Sequence, residues 1–213
     1  MRGVLIAFEG IEGSGKTTQA KLLFEYLKKK SIPCIYTKEP GGTQIGEQIR
    51  QILLDINNKQ MHRKTELLLY LASRAQHVYE KLLPELQKGT VIITDRFSLS
   101  SMAYQGMARD FSFKVVSRLN KFAVDNVKPD LTILVDLPVA VGLERTEKRS
   151  GNNIDRLEKE KTEFHEHVRQ AYLNLAKRAP KKILVFSGTK PEQILHDEIK
   201  QKVEIFLTKK GII

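Results

Sequence analysis

Gly10-Ile11-Glu12-Gly13-Ser14-Gly15-Lys16-Thr17 has the spacing G-x-x-x-x-G-K-[ST] and follows directly on Val4-Leu5-Ile6-Ala7-Phe8, an apolar run that reads as a buried strand. That is the spacing of a phosphate-binding loop. Its three glycines let backbone N–H groups turn toward anionic oxygens, and a helix beginning near Lys16 adds the positive end of its dipole. In such a loop Lys16 reaches the β- and γ-phosphates of a nucleoside triphosphate and Thr17 holds Mg²⁺. The helix-forming stretch from Thr18 to Lys30 completes the strand–loop–helix context that a chance eight-residue match lacks. Gly10 to Thr18 are therefore expected to bind ATP, and the open question is the fate of its γ-phosphate.

Outward from the loop, strand and helix patterns alternate. Cys34 to Thr37 reads as a short strand ending in Lys38-Glu39-Pro40-Gly41-Gly42-Thr43, where Pro-Gly-Gly marks a loop. Helical composition covers Ile45 to Ile56 and Thr65 to Leu86, and the second segment is so apolar at Leu67 to Ala72 that burial all round is expected. Val91 to Thr94 reads as a central strand with Asp95-Arg96 at its carboxyl edge, followed by helical segments at Ser98 to Met107 and Phe113 to Val124. Leu131 to Val135 forms a fourth strand ending at Asp136, and Pro138 opens a helix to about Arg149. After a polar break at Ser150-Gly151-Asn152-Asn153 come a long charged helix from Leu157 to Arg178, a strand at Ile183 to Phe186 and a helix from Pro191 to Leu207. The alternation predicts an α/β, three-layer P-loop fold: a five-stranded parallel sheet flanked by helices, in one domain over residues 1–213. Ligands of such sheets collect beyond the carboxyl ends of the strands, where Lys16, Glu39-Pro40, Asp95-Arg96 and Asp136 fall.

Composition narrows the class. Apolar residues make up 41% and charged residues 29% of the 213, an ordinary globular balance. A single cysteine, Cys34, excludes an internal disulfide and a multi-cysteine zinc site, and reads as a small core side chain in a reducing compartment. With no run of 18 apolar residues and no signal peptide, a cytoplasmic location is expected. The net charge of +11 suits nucleic acid, an acidic membrane surface or small polyanionic substrates, and composition does not separate these. Much of the excess lies in short lysine runs at helix ends, which solvation and helix dipoles explain.

Asp95-Arg96 at a strand end supplies a carboxylate for a magnesium shell and a guanidinium that grips phosphate with two N–H groups, although a surface salt pair would look the same. The residues that follow distinguish them. Asp95-Arg96-Phe97-x-x-Ser100-Ser101-x-Ala103-Tyr104-Gln105-Gly106 resembles the Asp-Arg-Tyr-x-x-Ser-x-x-Ala-Tyr-Gln signature of thymidylate kinases. Phe8-Glu9-Gly10-x-Glu12-Gly13-x-Gly15-Lys16-Thr17-Thr18, Glu39-Pro40-Gly41-Gly42-Thr43, Ser73-Arg74 and Asp155-Arg156-Leu157-Glu158 match that family in order and spacing, over about residues 4 to 178.

The resemblance implies transfer of the γ-phosphoryl of ATP to thymidine monophosphate (dTMP) with Mg²⁺, in dTTP biosynthesis for DNA synthesis. Positioning and charge neutralisation carry most of such a reaction, so loops, arginines and metal ligands suffice. By similarity Lys16, Asp95 and Arg96 are catalytic; Arg96 and Arg50 hold the acceptor 5′-phosphate, and Asp95 with Thr17 organises the magnesium shell. Glu12, an acid in an anion-binding loop, is explained as the partner of the sugar 3′-hydroxyl or of magnesium-bound water. Glu39 and Pro40 lie at the substrate, Pro40 flanking the ring; Tyr70 stacks on thymine and Arg74, four residues on, donates to a base carbonyl. Ser101 and Gln105 reach the polar edge of the base, and Tyr104 lies against C2′ and disfavours a ribose hydroxyl.

A short lid at about residues 149–156 is expected over the phosphates. Family members with Gly at position 13 take a catalytic arginine from the lid, which implies Arg149 and Arg156, with Arg145 behind them. Lys38 and Phe97 stand where the family more often has Arg and Tyr, and Tyr70 where it more often has Phe. The resemblance also implies a homodimer, with neither nucleic acid nor membrane as a partner. Two rivals remain at this stage: a nucleic-acid-stimulated P-loop ATPase, suggested by the charge, and a kinase of the same fold acting on another monophosphate.

Overall fold

Val4, Ile6 and Phe8 point to one side of the central strand and Leu5 and Ala7 to the other, and all five are at most 3% exposed. A strand apolar on both faces needs a layer on each side. The computed structural model, which describes residues 2–109, 111–150 and 155–213, supplies them. Strands β1 (Val4–Glu9), β2 (Cys34–Lys38), β3 (Val91–Asp95), β4 (Leu131–Asp136) and β5 (Ile183–Ser187) form one parallel sheet in the order β2-β3-β1-β4-β5. Register is continuous, with Leu5 opposite Ile92 and Ile133 opposite Leu184.

On one face α1 (Lys16–Lys29) and α9 (Glu192–Lys209) pack Ala20, Leu23, Leu27, Leu195, Ile199 and Val203 against Val4, Ile6 and Phe8. Each fully buried aliphatic side chain contributes about 1.5–3 kcal/mol relative to exposure. The other face carries α2 (Gln44–Leu54), α3 (Arg63–His77), α4 (Leu83–Gln87), α5 (Ser98–Ser101), α6 (Phe113–Val124), α7 (Val139–Ser150) and α8 (Thr162–Arg178). Leu67, Leu71, Val78, Leu82, Ile92 and Val116 make its core. Cys34 is half-buried at the edge of the first core, against Phe24.

Three sequence expectations need correction. The segment Thr65 to Leu86 is helical but changes pitch: a π-helical turn (Val78–Leu82) joins α3 to α4. Pro84 explains the break, because it has no N–H for the carbonyl four residues back and its ring crowds that turn. Nor is this helix buried all round, since Leu68 is 58% exposed. Residues 157–161 are not helical; α8 begins at Thr162, and Leu157 is buried in a turn instead. The centre of the expected lid, residues 151–154, lies outside the described residues.

Candidate active site

Beyond the carboxyl ends of β1, β2 and β3 the loops leave two cavities, of about 430 and about 360 Å³. The smaller is rimmed by Gly13 to Gln19, by Arg145 and Arg149 of α7, and by Gly188 and Lys190 after β5. Gly13 (φ 71°) has no room for a side chain, because a Cβ there would stand 2.2 Å from the Gly142 carbonyl oxygen of α7. The loop is thereby pressed against α7, and Arg145 donates to the Gly188 carbonyl oxygen at 3.0 Å. Arg145 thus faces the phosphate loop directly, where the sequence placed it behind the lid arginines.

Lys16 is 7% exposed and its Nζ donates to the Ile11 carbonyl oxygen at 3.2 Å, so the ammonium lies along the loop. Burial, and secondarily Arg96, lower its pKa to about 8. The Ser14 hydroxyl is buried without a hydrogen-bond partner among the described residues. Thr17 donates its hydroxyl to Asp95 Oδ2, while Asp95 Oδ1 is buried and unpartnered. A hydroxyl and an unsatisfied carboxylate oxygen side by side are hard donors that suit Mg²⁺, which prefers one or two protein oxygens plus water and phosphate. No cluster of three or more His, Cys, Asp or Glu side chains suited to a metal occurs among the described residues.

The larger cavity takes Lys16, Thr17, Asp95 and Arg96 at one end and Tyr70, Ser101, Tyr104 and Gln105 deeper in, with Glu39, Pro40 and Arg50 along its wall. Arg96 sits at φ 73°, a conformation that costs a non-glycine residue about 1–3 kcal/mol. Its guanidinium donates to Glu12 at 2.7 Å, to the Gly10 carbonyl oxygen at 3.2 Å and to the Tyr104 hydroxyl at 3.2 Å. The acid in the loop is therefore paired. Tyr104 also donates to Glu12 at 2.7 Å, and His165 Nδ1 lies 3.6 Å away. Although burial pushes the Glu12 carboxyl up, Arg96, His165 and Lys16 outweigh it and hold it well below the usual carboxylate range. Arg50 donates to the Pro40 carbonyl oxygen at 2.9 Å, which keeps its charge at the cavity wall.

Two predicted residues stand elsewhere. Arg74, 2% exposed, does not line either cavity: its guanidinium donates to Glu39 at 2.6 Å, to Ser101 at 2.7 Å, to Asn120 and to the Phe97 carbonyl oxygen. Those bonds occupy four of its five N–H groups. Glu39 is taken up by Arg74 and by His77 at 2.9 Å. Arg156 lines neither cavity; it donates to the Leu53 carbonyl oxygen at 2.9 Å and to Glu66 at 2.7 Å. A nearly buried carboxylate such as Glu66 demands cations, and that demand overrides the sequence position of Arg156 beside the lid. Arg149 lines both cavities and bonds Glu158 at 2.6 Å.

Several residues that organise the site carried no assigned role from sequence. Glu9, fully buried, accepts from the Phe97 and Ser100 N–H groups, the Ser100 hydroxyl and Tyr172, and so straps down the turn that holds Arg96. Burial outweighs Ser100 and Arg96 and raises its pKa. The available signal was a carboxylate directly after an apolar strand. His77, Asn120, His165 and Tyr172 had none, because each lies far along the chain from the group it touches.

A phosphate loop over a parallel sheet, with two adjoining cavities that share Lys16, Thr17 and Arg149, defines a P-loop phosphotransferase. A family model described as thymidylate kinase matches residues 8–199. The chain belongs to the thymidylate kinase family. It is 45% identical over 208 residues to a thymidylate kinase of Kosmotoga olearia, covering 98% of this chain and 99% of that one. It is 47% identical over 210 residues to one of Halothermothrix orenii, covering 98% and 100%. Its fold matches the crystal structure of thymidylate kinase from Ehrlichia chaffeensis with a TM-score of 0.77 at 29% identity, over 96% of this chain and 99% of that chain.

Proposed function

We infer that the protein transfers the γ-phosphoryl of ATP to dTMP, giving dTDP, and that it does so as a single kinase domain. One observation carries the reading: the smaller cavity, built on the phosphate loop, and the larger one share Lys16, Thr17 and Arg149 in their walls. The donor triphosphate fits the first, where loop N–H groups, the Ser14 hydroxyl and Arg145 are aimed. In the second, Arg96 and Arg50 neutralise the acceptor phosphate, Glu12 accepts from the sugar 3′-hydroxyl, and Tyr104 crowds C2′. Tyr70 provides the aromatic face for the base. Thr17 and Asp95 would hold Mg²⁺, which would supply neutralisation of the triphosphate charge. Lys16 and Arg149, common to both cavities, stabilise the charge as the phosphoryl passes between them.

Arg74 acts from beneath: it fixes Glu39 and Ser101, which line the larger cavity where Arg74 itself does not. The reading includes a homodimer. α2 packs beside α3 and α3 beside α6, and these three helices leave Ile52 (47%), Leu68 (58%) and Phe122 (86%) exposed. A cytoplasmic location goes with the substrates; no helix among the described residues is long and apolar enough to cross a membrane.

A coupled ADP-release assay with Mg²⁺ and ATP, offering the deoxythymidine, deoxyuridine, uridine, deoxycytidine, adenosine and guanosine monophosphates, tests this. Turnover is expected to be highest with dTMP and weak with the ribonucleotides. The methyl of thymine against the hydrogen of uracil is worth only about 1–3 kcal/mol, so substantial deoxyuridine activity is compatible. Inert monophosphates with ATP hydrolysis stimulated by DNA would overturn the kinase reading.

A further inference from the structure

Glu66 of α3 is 1% exposed and belongs to no phosphate or metal site. Its Oε1 accepts from Gln105 Nε2 at 3.0 Å and from Arg109 Nε at 3.4 Å, and its Oε2 accepts from Arg156 Nη2 at 2.7 Å and Arg109 Nη2 at 3.3 Å. Two guanidiniums and an amide on a buried carboxyl keep it ionised: burial alone pushes it up, but Arg109, Gln105 and Arg156 hold it below the usual carboxylate range. An ionised carboxylate accepts hydrogen bonds and donates none.

That one-sidedness has a consequence at Gln105. A glutamine amide can present either its NH₂ or its carbonyl in a given direction, and only its neighbours decide which. Here one N–H of the NH₂ is bonded to Glu66, which fixes the amide's orientation and leaves the carbonyl oxygen as the acceptor that Gln105 offers the large cavity it lines beside Tyr70 and Ser101. Ser101 is biased the opposite way. Its oxygen already accepts from Arg74 Nη1 at 2.7 Å, which leaves its hydroxyl proton to donate.

We propose that Glu66 is a positioning residue that sets the hydrogen-bond polarity of the base pocket through Gln105, and so selects thymine over cytosine. Thymine and uracil carry a proton on N3, which a carbonyl oxygen accepts. Cytosine carries a lone pair there, which the same oxygen repels, and its exocyclic amine replaces a carbonyl that Ser101 could serve. A site that leaves buried polar groups unpaired rejects an analogue far more strongly than one that merely lacks a methyl contact. The inference rests on the kinase reading above and names the element that decides its base specificity.

The test compares kcat/KM for deoxycytidine monophosphate and dTMP in the wild type, Glu66→Gln and Arg109→Ala. Glutamine at position 66 can donate as well as accept, so the Gln105 amide is released to turn. Glu66→Gln is expected to raise the deoxycytidine-to-thymidine ratio of kcat/KM by roughly tenfold or more. Arg109, which lies over Phe164 and outside both cavities, tests a purely structural role. Arg109→Ala is expected to lower the melting temperature and, with Arg156 still paired to Glu66 at 2.7 Å, to leave the ratio unchanged. Should Glu66→Gln alone fail to fold for want of charge balance, the Glu66→Gln/Arg109→Met double variant removes one charge of each sign and is read the same way. A wild-type ratio in the Glu66 variants, alongside active wild-type enzyme, overturns the role of Glu66 and leaves the kinase reading intact. A wild type inert toward dTMP removes both.

Discussion

Lys16 illustrates how burial sets chemistry at a single residue. Its ammonium is shielded from solvent and shares the cavity with Arg96, which together outweigh Asp95, Glu12 and Glu9 and bring its pKa to about 8. A lysine whose folded pKa lies below its unfolded value of about 10.4 costs stability while charged, and the cost is relieved as pH rises from about 8 to about 10.4. Relative to Lys16→Met, the ligand-free wild type is therefore expected to gain about 3 kcal/mol across that window. Chemical denaturation of both proteins at a series of pH values checks this, and parallel stability curves would refute the shift. Arg74 makes the complementary point, since a guanidinium at 2% exposure is tolerable only because Glu39, Ser101, Asn120 and Phe97 receive it.

Among the elements, α7 and the segment after it divide the expected lid arginines by what they touch. Arg145 and Arg149, on successive turns of α7, line the smaller cavity, and Arg149 lines the larger one as well. Arg156 is instead tied to the end of α2 through the Leu53 and Leu54 carbonyl oxygens, its N–H donating to Leu54 at 3.2 Å, and to α3 through Glu66. Arg149→Ala is expected to lower kcat by about 10²-fold or more with little change in stability. Arg156→Ala is expected to cost about 3–5 kcal/mol of stability, the penalty for stripping one partner from a buried ion cluster. Steady-state kinetics with denaturant titrations distinguishes them; a stable Arg156→Ala enzyme with the larger loss of kcat would exchange their roles.

At the scale of the whole molecule, part of the positive charge lies beside the cavities, which draw cations from most of the chain: Lys16, Lys21, Lys38, Arg50, Arg96, Arg145, Arg149 and Lys190. A field of this sign steers polyanionic substrates such as ATP and dTMP. The apolar face of α2, α3 and α6 bears on assembly. Leu68→Glu places a charge at its centre and is expected to convert a dimer into a monomer in light scattering coupled to gel filtration. A variant with wild-type mass at equal concentration would place the interface elsewhere.

The strands, the phosphate loop and the carboxyl-edge residues were legible in sequence because each depends on neighbours a few positions away: apolar runs, glycine spacing and turn chemistry. Tyr70, Tyr104 and Gln105 line the larger cavity, since residues on one helix face and after a strand end inherit their positions from the fold. The pitch change at Pro84 was also local and was available in the sequence. Glu66, by contrast, binds Arg109 and Arg156 from segments 43 and 90 residues away, and Glu12 meets Tyr104 across 92. Sequence alone determined the sheet, the nucleotide loop and the family of the chain. Only the tertiary structure decided which arginines line the cavities and which pair with buried carboxylates, because the cost of an unpaired buried charge is set by whatever packs around it.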